Sequence, residues 1–276
     1  MTEPTKSATP KLRNPQAEDR VNFLALFLCG LAFVIITLAL VFSSSAQDTQ
    51  PAGQETPAGS PPTAQQLTEQ GLKLMRQQKL PEALEALRQA VNQDPDLASA
   101  RLYLAKVYSL LRLQKKVCEY DAYRASIVEQ LEAAVRLDPG LLAKIKKDKE
   151  LAPVRDTYGY QALLGLSPKV DNELKAILTQ VTWYGPCPGA LGPGSGLKFG
   201  PKNKLNLWTL DMAKEGNPKR VDRAGTFKVK DGKVHIKLAK PFEGKSEFEG
   251  VINPEGKLDL NGLPGPFGDD PCECEA

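Results

Sequence analysis

From Ala64 to about Leu164 the apolar positions recur every three or four residues; from Val181 onward they recur every second residue. The first spacing predicts helices and the second strands, because side chains align at those periods on the two backbones. Within Ala64–Leu97, Leu67, Gly71 and Leu74 precede Ala83, Leu87 and Ala90. This predicts two antiparallel helices in which small residues face large ones. Pro95, after Asp94, stops the second helix, since proline cannot continue it. Ala134-Val135-Arg136-Leu137-Asp138-Pro139 repeats the pattern of Ala90-Val91-Asn92-Gln93-Asp94-Pro95, with the prolines 44 residues apart. The second unit reads as a helix over Ala98–Leu111, with Leu104, Ala105 and Tyr108 interlocking, and a helix ending in Ile127, Leu131 and Ala134. An insertion falls around Arg112–Tyr123. A weaker third unit begins at Leu141, and Leu151–Asp156 with Tyr160–Leu164 reads as a closing segment.

The C-terminal part opens with Ser167-Pro168, read as the start of a short helix, with Val170, Leu174, Ile177 and Leu178 on one face. Lys204–Met212 is apolar on both faces and predicts a covered strand. Gly225–Leu238 is a hairpin pattern turning at Asp231-Gly232, a pair suited to positive φ. A second hairpin runs from Glu247-Phe248 to Leu260 through Asn253-Pro254-Glu255-Gly256. About six short antiparallel strands predict a small β-meander, sandwich or open barrel. No motif in this part names a family. Trp183, Tyr184 and Trp208 read as core or as the lining of a ligand pocket.

Phe23–Phe42 is uncharged, with only Thr37 clearly polar. At ~1.5 Å per residue it matches the ~30 Å hydrocarbon core of a bilayer. Lys6, Lys11, Arg13 and Arg20 precede it, and no Lys or Arg follows until Lys73. That asymmetry predicts a cytoplasmic N-terminus with the bulk outside, periplasmic or otherwise extracytoplasmic. The competing reading is a signal peptide cleaved after Ala46; the apolar run is longer than the ~7–15 residues of such segments. The expected organisation is multidomain α + β: a cytoplasmic tail (1–20), a single transmembrane helix as signal-anchor (21–43), a Pro/Gly/Ser-rich linker (44–63), a helical domain (64–166) and a helix plus β-rich domain (167–276). The linker holds no large apolar residue and predicts a tether.

Leu67, Gly71, Leu74, Ala83, Leu87, Ala90 and Pro95 together resemble a tetratricopeptide (TPR) repeat, with leucines at Leu67 and Leu74 where that repeat commonly has aromatics. The second unit carries ten extra residues over the 34-residue period. The resemblance covers about 100 residues and implies stacked TPR-like antiparallel helical hairpins that present a concave surface to a protein or peptide segment. The first helix of each unit lines that surface, which puts Gln65, Thr68, Leu72, Met75 and Arg76 there from one unit and Leu102, Lys106 and Ser109 from the next. TPR domains that grip a C-terminal carboxylate use a lysine and an asparagine where Thr68 and Leu72 stand, so that mode is not expected. Leu72, Met75 and Leu102 read as an apolar patch rimmed by Arg76 and Lys106, or as residues packed against a neighbouring helix.

A net charge of +3 over 276 residues argues against a nucleic-acid binder. Lys214–Lys240 holds nine Lys/Arg against three acids, read as a solvated sheet face or a contact for anionic lipid or polymer. The single histidine, His235, lies on the lysine-bearing face and has no acidic or cysteine partner at ligand spacing. No catalytic set, metal site or cofactor motif is readable, and no enzyme is expected. In an oxidising compartment Cys187, in a Gly/Pro loop, is expected to bond to Cys272 or Cys274, which are too close to pair with each other. Cys118 stays free or takes the remaining tail cysteine. The leading reading is a membrane-anchored envelope scaffold that binds a protein through its helical groove. The alternative is a ligand-binding protein whose β-domain holds a small molecule, lipid or glycan; a deep apolar pocket there favours it, and a solid aromatic core favours the scaffold.

Overall fold

Thr63 sets the start of the first helix. Its hydroxyl accepts the Gln66 backbone N–H (3.3 Å) while Gln66 Oε1 accepts the Thr63 N–H (2.8 Å), which satisfies two donors that a helix start leaves unpaired. The computed structural model describes residues 61–187, 193–211 and 218–272. The anticipated tail and signal-anchor, and the linker before Pro61, lie outside them. Among the described residues no helix is long and apolar enough to cross a membrane.

α1 (Ala64–Arg76) and α2 (Leu80–Gln93) form the first antiparallel pair; α3 (Ala98–Leu113) and α5 (Arg124–Leu137) form the second. Gly71 permits the first pair to close, because a Cβ there would sit 2.6 Å from Leu87 Cγ. The units share their punctuation. Asp94 and Asp138 end α2 and α5 with nearly the same backbone, φ −136°, ψ 90° and φ −137°, ψ 93°. Each aspartate carboxylate accepts the N–H two residues on, from Asp96 at 3.1 Å and Gly140 at 2.9 Å. α1 and α3 also end alike, with Gln78 and Lys115 both at φ 61° and i→i−5 bonds from Lys79 N–H to the Leu74 carbonyl and from Lys116 N–H to that of Leu111. The inserted residues then build α4 (Val117–Tyr120). In the third unit the first helix breaks into α6 (Leu142–Lys147) and a 3₁₀ turn, Lys149–Val154, that contains Pro153. α7 (Tyr158–Leu163) follows.

The helix anticipated at Ser167 begins later, as α8 (Asp171–Gln180). Ser167 and Pro168 form a turn instead: the Ser167 N–H donates to Glu173 (2.8 Å) and its Oγ accepts the Lys169 N–H (3.3 Å). The strands are β1 (Trp183–Tyr184), β2 (Ser195–Phe199), β3 (Lys204–Asp211), β4 (Lys219–Lys230), β5 (Lys233–Phe242), β6 (Lys245–Ile252) and β7 (Leu258–Leu260). They form a single antiparallel sheet in chain order, which excludes the sandwich. Asp231 and Gly232 turn β4 into β5 at φ 54° and 71°, as that pair predicts. Phe267 exchanges backbone hydrogen bonds with Leu258 on β7 (2.8 and 2.9 Å), and Gly268 does so with Tyr184 on β1 (2.7 and 2.8 Å). This short segment joins the two edges and nearly closes the sheet into a barrel, leaving no long unpaired edge.

Inward residues fill that barrel. Trp183, Phe199, Phe227, Phe248 and Phe267 pack with Leu174, Ile177 and Leu178 of α8, and the Phe199 and Phe227 rings meet edge to face at 4.9 Å. The helical array has its own core around Leu87, Leu104, Leu111, Ile127 and Leu131. The two halves meet at specific points. The Asp269 carboxylate accepts the Tyr158 N–H (2.7 Å) at the start of α7, and Arg124 donates to the Asp269 carbonyl (3.2 Å). Tyr158 lies against Gly256, which turns β6 into β7 at φ 76°. The Asp171 carboxylate holds the β4–β5 turn through the N–H groups of Asp231 and Gly232 (3.2 and 2.8 Å).

Candidate functional site

The first helices of the two full units, α1 and α3, carry the residues expected to line a binding groove. Gln65 and Arg76 are exposed and Leu72 is half-buried. Thr68, Met75, Leu102 and Ser109 are 6%, 6%, 8% and 0% exposed. Met75 and Leu102 belong to the helical core. The expected surface patch of Leu72, Met75 and Leu102 therefore does not form, and the packed alternative holds for two of its three members. The hydroxyl of Thr68 donates to the Ala64 carbonyl (2.7 Å). Ser109 Oγ donates to the Glu150 carbonyl (2.5 Å), because the broken third unit lies over the end of α3.

Lys106 stays at the surface but is held. Its Nζ lies 3.1 Å from Asp148 and 2.6 Å from Glu150. Partial burial works against its charge, yet hydrogen bonds to Glu150 and Asp148 prevail and raise its pKa above the ordinary lysine value. Tyr103 and Leu110 stand three residues before and four after Lys106, on the same side of α3, and both are half-buried. Lys106 Nζ sits 5.9 Å from the Tyr103 ring centre. In repeat register Lys106 matches Leu72 and Leu110 matches Arg76, each 34 residues apart. The side chains on α1 and α3 that stay exposed or half-buried at or beside the expected positions are Leu72, Arg76, Tyr103, Lys106 and Leu110, with Tyr103 and Leu110 partly packed against the helical core. Repeat register was the signal that could have found Leu110, which lies 34 residues after Arg76.

On the barrel, Trp183 is fully buried core. Trp208 faces outward over Gly196, where a Cβ would lie 2.6 Å from the indole, and Arg220 stacks 5.0 Å from its ring centre. The lysine face is a cross-strand ladder: Lys233–Glu249 at 2.6 Å, Lys237–Glu247 at 2.8 Å and His235 Nδ1–Glu249 at 3.3 Å. Register brings Glu249 opposite His235, a partner that sequence spacing does not reveal. Hydrogen bonds to the lysines hold Glu247 and Glu249 below the usual glutamate range and raise Lys233 and Lys237 in turn. These pairs fit the reading of a solvated face.

Cys187 is disulfide-bonded to Cys272, with Cα atoms 6.0 Å apart. Cys274 lies outside the described residues. Among the described residues no group of three or more His, Cys, Asp or Glu could hold a metal ion.

The family model for the TPR repeat matches residues 71–111, from the middle of α1 to near the end of α3. No curated protein and no solved structure gives a match. The matched stretch spans one helix-to-helix interlock and the helix that follows it, and TPR repeats point to protein–protein interaction.

Proposed function

We propose that the chain is a membrane-anchored scaffold, held outside the cytoplasm by residues 21–43, whose helical array captures a segment of a partner protein. The observation that carries this reading is the TPR match over 71–111 on a stack of antiparallel pairs. The strip Leu72, Arg76, Tyr103, Lys106 and Leu110 offers apolar and aromatic contacts beside cations, which suits a peptide with apolar anchors and some acidic character. The filled barrel interior counts for the scaffold over small-molecule binding, with the barrel as a rigid mount. The uncharged span and the Lys/Arg asymmetry around it support the anchor and its orientation.

The test uses the full chain in three forms: Leu72→Ser with Arg76→Glu, Lys237→Glu on the barrel, and the wild type. Partner capture lost in the first and kept in the second supports the reading. Capture that survives the first and fails in the second moves the binding surface to the barrel. A reporter active only outside the cytoplasm, fused after Ala276, tests the orientation, and its silence would refute export.

A further inference from the structure

The barrel is filled inside, but its two ends differ. At the end where β4 turns into β5, Leu174, Ile177 and Leu178 of α8 join the core, and the Asp171 carboxylate holds the turn through the Asp231 and Gly232 N–H groups. The opposite end, where β5 turns into β6, carries a cleft of about 440 Å³ to which β2, β3, β4 and β5 all contribute. Leu210, Val221 and Phe242 supply apolar lining; Thr209, Arg223 and the buried Ser195 supply polar lining.

Arg223 is the unusual member. Alternation along β4 puts it on the inward face with Gly225 and Phe227, where a cation is costly unless it is paired. Its guanidinium lies 5.3 Å from the Phe242 ring centre and donates to Thr209 Oγ1 (2.9 Å). Arg220, on the outward face of the same strand, pairs with Asp222 at 3.0 Å. Arg223 forms no ion pair with any described residue. An aromatic ring and a hydroxyl thus hold its plane without neutralising its charge, and a planar fork of N–H donors matches a carboxylate in two parallel bonds.

We infer that this mouth of the barrel binds a small monocarboxylate with an apolar body. The carboxylate meets the Arg223 fork, and the Thr209 hydroxyl, which accepts from Arg223, donates to one of its oxygens. Val221, Leu210 and Phe242 receive the apolar body. Asp211 and Glu243 stand on the same lining and are both exposed. Their charge repels a dianion more strongly than a monoanion, which selects the singly charged acid over phosphate. A cleft of this size admits a ring or a short chain, so the site is separate from the α1–α3 surface and does not depend on it.

The test is ligand-observed NMR on the full chain titrated with benzoate, with benzyl alcohol and inorganic phosphate as comparisons. Benzoate should bind saturably, and the other two should not at the same concentrations. Arg223→Gln should weaken benzoate at least about tenfold, and Glu243→Gln, on the exposed rim, should strengthen it about twofold. A thermal melt accompanies each variant; with Arg223→Gln unfolded, Glu243→Gln decides. No saturable benzoate binding by the wild type overturns the inference. So does phosphate or benzyl alcohol bound as tightly as benzoate, benzoate unchanged in a folded Arg223→Gln, or, where Glu243→Gln decides, benzoate unchanged in that variant.

Discussion

The helical array and the barrel bury their apolar faces by different routes. In the array helices pack chiefly on near neighbours in the chain, so contacts are local, and among the described residues no further repeat unit precedes α1. In the barrel the decisive contacts are distant: residues 267–268 reach back to Tyr184 and close the sheet. Closure buries the large inward-facing groups of the barrel, with Trp183, Phe199, Phe227 and Phe267 fully buried. An open array has an unclosed face to offer a partner, whereas the barrel is filled inside and its exterior carries the lysine–glutamate ladder with Trp208 under Arg220.

The sharpest way to break this contrast is a cavity in one half only. Trp183→Ala should cost ~3–5 kcal/mol. If Asp269, Tyr158 and Asp171 couple the halves, differential scanning calorimetry should show one transition lowered as a whole; two transitions, with only one moved, would mean that the halves unfold separately. Gly71→Val tests the array, since its Cβ must enter the space of Leu87 Cγ. It should cost ~1–3 kcal/mol through overpacking, read by urea denaturation, and an unchanged midpoint would refute the close approach.

At the junction, Asp269→Ala should cost ~1–3 kcal/mol, because the Tyr158 N–H at the start of α7 loses its acceptor. The junction carboxylate Asp269 and the carboxylates of the barrel's lysine ladder respond to pH in opposite directions. Burial raises the pKa of Asp269, against the pull of the Tyr158 N–H and Arg124. Folding therefore favours its protonated form, and the stability it supplies at acid pH is lost as pH rises from the ordinary aspartate value through the raised one. Glu247 and Glu249 are lowered, so their contribution is present above the ordinary glutamate value and fades as pH falls through the lowered one. Urea titrations across that acid range should show Asp269→Asn removing the first slope and Glu249→Gln the second, smaller one. The same slope in both variants and the wild type would contradict the assignment. Smallest of all, Leu72→Ser with Arg76→Glu should shift stability by only about 0.5 kcal/mol, with any larger loss placing those residues in the core.

Local rules made most of the array legible. Gly71, Ala83 and the Asp-Pro stops fix helix ends and close approaches within a few residues, and both hairpin turns were readable from Asp231-Gly232 and Asn253–Gly256. Closure of the barrel was not readable, since Phe267 and Gly268 sit in a Gly/Pro-rich stretch with no strand pattern, and Gly268 pairs with Tyr184, far away in sequence. The groove was half legible. Repeat position found Leu72, Arg76 and Lys106, but the broken third unit buried Ser109 and clamped Lys106 with Asp148 and Glu150. Period alone does not show such a break.

The central claim is that the α1–α3 strip, and not the barrel, contacts a partner protein. A photo-crosslinking amino acid placed at position 72 of the full chain in cells tests it most directly, with position 237 on the lysine ladder as the comparison. The account predicts a discrete protein adduct from position 72, lost when Arg76→Glu is added, and none from position 237. An adduct from position 237 with none from position 72 would contradict it.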